Sequence, residues 1–136
     1  MKFAVIGDIH SNLIYLQMAV DEIKKHNVDV VFLTGDLSNV YIRNNYNPEL
    51  YAKYEISVNN VFKLLDENNI NYYFVPGNHD SVDILKNHPK NIDRKITNIN
   101  ELSVFGIGGS PLGFGWPYEW SDDDIERLIK NIPNFF

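Results

Sequence analysis

Phe3, Ala4, Val5 and Ile6 form a short apolar run that stops at Gly7, the pattern of a strand buried on both faces before a turn. Leu13, Leu16, Val20 and Ile23 then recur at helical spacing with Asp21, Glu22, Lys24 and Lys25 between them, which predicts an amphipathic helix capped by Ser11 or Asn12. A second β-rich run, Val28 to Leu33, again ends at a glycine, Gly35, so strand, helix and strand follow in the order of a parallel crossover. Ser38 to Asn47 is polar and aperiodic, a surface loop positioned to lie over the strand ends.

Asn47 followed by Pro48 starts a long helix whose buried stripe is Leu50, Tyr54, Val58, Val61 and Leu65. A third strand, Tyr72 to Val75, and a short helical stretch, Val82 to Lys86, follow it. Ile96 to Ile99 and Leu102 to Ile107 flank an Asn100-Glu101 turn as a hairpin, and Ser121 with Asp124 makes a capping box for a final helix through Ile132. The closing Pro133-Asn134-Phe135-Phe136 reads as the start of a further buried strand. No repeat or linker interrupts this alternation, which predicts one α/β unit over residues 1–136.

Composition narrows the chemistry. With no cysteine, disulfides, thiolate metal sites and cysteine nucleophiles are excluded, so any metal must be held by oxygen and imidazole. The net charge of −6 argues against a nucleic-acid or anionic-membrane surface, leaving nucleic acid only as a substrate. The apolar start before Asp8 is too short for a signal peptide and no stretch approaches a membrane span, which makes the cytoplasm the expected location.

Three segments share one layout, in which a strand ends near a glycine and acidic, amide or imidazole side chains follow: Gly7-Asp8-Ile9-His10, Gly35-Asp36 and Gly77-Asn78-His79-Asp80. The carboxyl ends of parallel strands form the crevice where ligands bind, so these loops are expected to converge. Asp8 and His10, two apart in an extended turn, would offer one cation a carboxylate and an imidazole. Asp36 would bridge to a second cation, with the Asn78 amide oxygen beside it. Mixed nitrogen and oxygen donors suit Mn, Fe, Co, Ni or Zn better than Ca. Without cations Asp8 and Asp36 would be close like charges. His79 would act on a phosphoryl group as an acid or transition-state stabiliser, with Asp80 fixing its ring.

Each fragment alone has a plainer explanation. Asp8 and His10 could merely cap the following helix, Gly35-Asp36 is common turn punctuation, and Gly77 to Asp80 could be a simple turn. Their joint occurrence at successive strand ends is what favours a site. A dinucleotide-binding module is disfavoured, since no Gly-x-Gly-x-x-Gly follows the first strand. His26, near a helix end, and His88, before Pro89, read as structural or solvated. The aromatic group Phe114, Trp116, Tyr118 and Trp120 fits a substrate surface and a packing role equally well.

Asp-x-His, then Gly-Asp, then Gly-Asn-His-Asp resembles the first half of the signature of calcineurin-like metallophosphoesterases. The resemblance implies a layered β-sandwich flanked by helices and two divalent metal ions. It makes Asp8 and His10 ligands of the first ion, Asp36 the bridge, Asn78 a ligand of the second, and His79 with Asp80 the catalytic pair. Gly108-Gly109-Ser110 looks like the family's later glycine turn. The family's further histidines, from a Gly-His and a Gly-His-x-His segment, have no counterpart, so the fold and donor set are expected to be incomplete here. The implied activity is hydrolysis of a phosphomonoester or phosphodiester. The competing expectation is a non-catalytic metal- or phosphate-binding scaffold, or one half of a two-part assembly. An unpaired apolar face would then call for a second copy or a complementing C-terminal fragment.

Overall fold

The computed structural model describes residues 1–43 and 47–132 and contains a parallel sheet in the order β1 (Phe3–Ile6), β2 (Val30–Leu33) and β3 (Tyr72–Phe74). Two helices make the crossovers, α1 (Leu13–Lys25) and α2 (Pro48–Glu67), and they touch each other over the same buried core. Ala4, Ile6, Val31, Leu33, Tyr72 and Phe74 supply the sheet's side of that core, and Leu16, Val20, Ile23, Tyr54, Val58, Val61 and Leu65 supply the helices' side. The helical stripes read from the sequence are therefore the buried ones.

Local chemistry accounts for the helix starts. Asn12 caps α1 by accepting from the Tyr15 N–H. Asn47 accepts from Glu49 and Leu50 N–H groups ahead of α2, where Pro48 occupies the first turn. His26 closes α1 in ion-pair range of Glu22, an exposed structural role.

The short helix α3 (Val82–Leu85) precedes an extended segment that runs beside β3, with the Phe74 N–H donating to Lys90 O and the Ile92 N–H donating to Phe74 O. Strands β4 (Ile96–Ile99) and β5 (Leu102–Phe105) form the expected antiparallel hairpin, shorter at its end than the sequence suggested. Two short parallel strands, β6 (Ser110–Pro111) and β7 (Glu119–Trp120), lead into α4 (Asp122–Lys130), which carries the full Ser121–Asp124 capping box.

Two expectations are corrected. β1 is not buried on both faces: Phe3 is 59% and Val5 57% exposed, because α1 and α2 cover only the alternate face that carries Ala4 and Ile6. Nor is the segment after β2 a simple surface loop, since Ser38 and Ile42 are buried and Ile42 belongs to the core. Residues 44–46, within the same expected loop, and 133–136, read as a further strand, lie outside the described residues. Among the described residues, no helix is long and apolar enough to cross a membrane.

His88 is a structural histidine at the edge of the core. Its ring lies 4.4 Å from that of Phe62 and 5.2 Å from that of Phe74, and its Nδ1 accepts from the Lys90 N–H. Burial pushes its pKa below the ordinary imidazole value, with Lys90 adding to that and Asp66 opposing it. A depressed folded value means that His88 contributes stability above the unfolded value of about 6.5, and that this is lost as pH falls through the lower folded value. Denaturant titrations between about pH 7 and pH 5 should therefore show a shallower acid-side loss for His88→Phe than for the parent chain. Parallel curves would contradict the assignment.

Candidate metal centre

Backbone hydrogen bonds tie the turn after β1 to the turn after β2, and side-chain carboxylates tie the turn after β3 to the latter. Asp8 N–H donates to Gly35 O at 3.2 Å, His10 N–H to Asp36 O at 2.8 Å, and Ser11 N–H to Leu37 O at 2.8 Å. This pairing demands unusual backbone. Asp8, His10, Ser11 and Asp36 all have positive φ, between 44° and 55°. The turn at Asp8 and His10 is thus left-handed rather than extended, a conformation costing each L-residue about 1 kcal/mol or more that the surrounding bonds must offset. Gly35, at φ 98°, and Gly77 lie against each other so closely that a β-carbon on either would overlap the facing turn, in one case the Asp36 carboxylate itself.

Inside this frame His10, Asp36 and His79 each offer one ligand atom, and these atoms all lie within 4.8 Å of one another. His10 Nε2 is 3.9 Å from Asp36 Oδ2 and 3.7 Å from Asp8 Oδ1. Asp36 is buried, His10 and His79 are half-buried, and Asp8 stands on the exposed rim. Asn78 is half-buried in the same turn as His79. Two imidazoles and two carboxylates, in a chain with no cysteine, suit a divalent transition-metal ion, so the residues present fit the metal the sequence implied.

The expected pairing of His79 with Asp80 is not what the structure shows. His79 is engaged by Asp36: its Nδ1 lies 2.7 Å from Oδ2 and its backbone N–H donates to Oδ1 at 3.1 Å. Asp80 turns inward instead, 3% exposed, and accepts from the Leu37 N–H, the Gly77 N–H and the Tyr54 hydroxyl. A residue adjacent in sequence points away when a turn reverses its side chain, and here three donors wait on the buried side. Burial pushes the Asp80 carboxyl up and the Asp36 charge adds to that, while the three donors oppose it. Burial likewise raises the Tyr54 hydroxyl above its ordinary value, and the Asp80 charge reinforces it.

Other participants escaped the sequence reading. Ser57, on α2, shares a hydroxyl network with Ser11, Ser38 and Asn39 directly behind His10. His10 Nδ1 lies 3.4 Å from both the Ser38 carbonyl and the Tyr41 hydroxyl, and a proton on Nδ1 donated to that carbonyl would leave Nε2 to a metal ion. Trp116, whose role the sequence left open, brings its ring centroid to 4.2 Å from that of His79, and Tyr41, which it did not single out, packs against both. Serines and aromatics at these positions carry no spacing signal, since their partners come from distant segments.

The Gly108-Gly109 segment, singled out as a glycine turn, lies beside the site's third loop, with Gly109 N–H donating to Pro76 O. Asp93 accepts from the Gly108 N–H and the Tyr118 hydroxyl, and Arg94 stacks 4.0 Å over Trp120, so Tyr118 and Trp120 are packing residues.

The sequence profile described as calcineurin-like phosphoesterase matches residues 1–134. The chain belongs to the calcineurin-like phosphoesterase family. An uncharacterized protein of Methanocaldococcus jannaschii, MJ1162, is 30% identical over 144 aligned positions that take in all of this chain and 58% of the relative. The crystal structure of TT1561 of Thermus thermophilus superposes with a TM-score of 0.66 at 19% identity, over 94% of this chain and 60% of that one, which shows the shared mixed α/β fold. This calcineurin-like chain therefore spans somewhat over half the length of either protein.

The Asp80 knot gives a direct test. Asp80→Ala leaves two buried N–H groups and a hydroxyl unsatisfied and should cost about 3 kcal/mol or more in urea unfolding. Tyr54→Phe removes one donor and should cost about 1 kcal/mol. Equal small effects for both would show that the carboxylate does not tie the loops.

Proposed function

We propose that this chain carries the metal-holding part of a phosphoesterase that hydrolyses phosphomonoesters or phosphodiesters with two divalent ions. The observation that carries this reading is the meeting of His10, Asp36 and His79 at the ends of separate strands, within 4.8 Å of one another. The proposed ligands are Asp8, His10, Asp36 and Asn78, with His79 beside them as the proton donor.

Divalent ions bound there would supply Lewis-acid polarisation of the phosphoryl group and a nucleophile from water at neutral pH. The chain's own residues do the rest. With its Nδ1 proton donated to the Ser38 carbonyl, His10 would offer Nε2 as a ligand. Asp36 orients His79 through Nδ1, so His79 Nε2 is the atom that would deliver a proton to the departing alkoxide. In this proposal Asp80 serves catalysis by holding the turn that presents His79, not by touching its ring.

A second reading, a metal- or phosphate-binding scaffold or one half of a two-part assembly, draws on the absence of the Gly-His and Gly-His-x-His donors from this sequence. It predicts metal binding without turnover.

With added Mn, hydrolysis of p-nitrophenyl phosphate or its bis-ester should appear, and Asp36→Ala and His79→Ala should each lower it about a hundredfold or more. Calorimetry should show metal affinity falling in Asp36→Ala. Tight metal binding with no turnover in the parent chain would favour the scaffold. Turnover surviving both substitutions would remove this site from the reaction.

A further inference from the structure

The segment Gly113–Trp116 has two positive-φ glycines with open space where side chains would be, a composition that should leave it loosely ordered. One carboxylate organises it. Glu119 Oε2 accepts from the N–H groups of Gly113, Phe114 and Gly115, and Oε1 accepts from that of Trp116 at 2.9 Å. The Trp116 bond is the main cause that holds the Glu119 carboxyl below its ordinary range, with the others adding to it. The loop is thereby wrapped around an internal anion, in the way backbone amides elsewhere wrap a bound one.

The consequence is the placement of Trp116. Its ring meets that of His79 at 4.2 Å and 74°, and that of Tyr41 at 5.6 Å, while Tyr41 itself is 43% exposed. The Arg43 guanidinium lies 4.1 Å over the Trp116 ring, and Phe114, in the same loop, is 68% exposed. A cleft of about 400 Å³ lined in part by Arg43, Ser81 and Pro117 adjoins this group. His79 thus meets the Asp36 carboxylate through its Nδ1 and a half-buried Trp116 ring topped by Arg43 through its ring contact, with exposed Tyr41 packed against both rings. That pairing matches a ligand with an anionic phosphoryl group at one end and a flat apolar ring at the other.

We infer that Trp116 is a specificity-determining residue, held in place by Glu119, and that the esters this site prefers carry an aryl or heteroaryl group that packs on Trp116. The inference rests on the phosphoester reading for the phosphoryl end and goes beyond it in naming the chemistry of the other end.

The test is calorimetric binding of phenylphosphonate and methylphosphonate to the Zn-loaded chain, alongside kcat/KM for p-nitrophenyl phosphate and glycerol phosphate. Phenylphosphonate should bind about fivefold or more tighter than methylphosphonate, the smaller end of what a ring stack contributes. Trp116→Ala and Glu119→Ala should erase that preference, and Trp116→Phe should keep part of it. Trp116→Ala should also raise KM for the aryl ester about tenfold while changing the alkyl ester less than about threefold. Methylphosphonate binding with no ring preference, or equal losses on both esters, overturns the inference and leaves the phosphoester reading standing. Failure of both phosphonates to bind the metal-loaded chain overturns both.

Discussion

Asp80 carries no solvent-facing role, yet the turns on which the site stands meet at its carboxylate. One oxygen pair receives Leu37 from the turn after β2, Gly77 from the turn after β3, and Tyr54 from the helix between them. A buried carboxylate so placed cannot lose a partner cheaply, because the remaining donors would be stranded away from water. The same bonds bring the Asp36 turn against the Gly77 turn, and the backbone bonds from Asp8, His10 and Ser11 add the turn after β1. The proximity of His10, Asp36 and His79 follows from this knot, to which the bonds from the His79 ring and backbone N–H to Asp36 add.

The strain at these positions fits such a frame. Positive φ at Asp8, His10, Ser11 and Asp36 is a concentration of unfavourable backbone in the segments that hold candidate ligands. Asp tolerates the left-handed region better than most residues, which lets an acidic side chain occupy a turn position elsewhere given to glycine. In the proposed function the preorganised donors save the reorganisation that a flexible site would need each time an ion binds.

Much of the architecture was legible because it follows from local rules. The stripes of α1 and α2, the Asn47-Pro48 start, the capping box of α4 and the hairpin turn at Asn100-Glu101 all depend on neighbours within a few residues. The site was legible as three strand ends because parallel sheets place their carboxyl ends together. What escaped depends on distant partners. An apolar run gives no sign of whether a helix covers both faces of β1, so exposed Phe3 and Val5 read as buried. Adjacency suggested that Asp80 orients His79, whereas Tyr54 and Leu37 draw it the other way. Ser57 became visible only once α2 was placed behind His10, and Trp116, which the sequence left open between substrate surface and packing, found its place only with the Glu119-bound loop set against His79.

The central claim is that strand-end turns assemble one metal centre from Asp8, His10, Asp36 and Asn78, with His79 beside it. Crystals of the chain grown with Mn, measured for anomalous scattering at the Mn edge, test it most directly. The account predicts anomalous density between the His10, Asp36 and His79 side chains, with Asp8 and Asn78 in its coordination shell. Density at any other position, with none among these residues at saturating Mn, would contradict it.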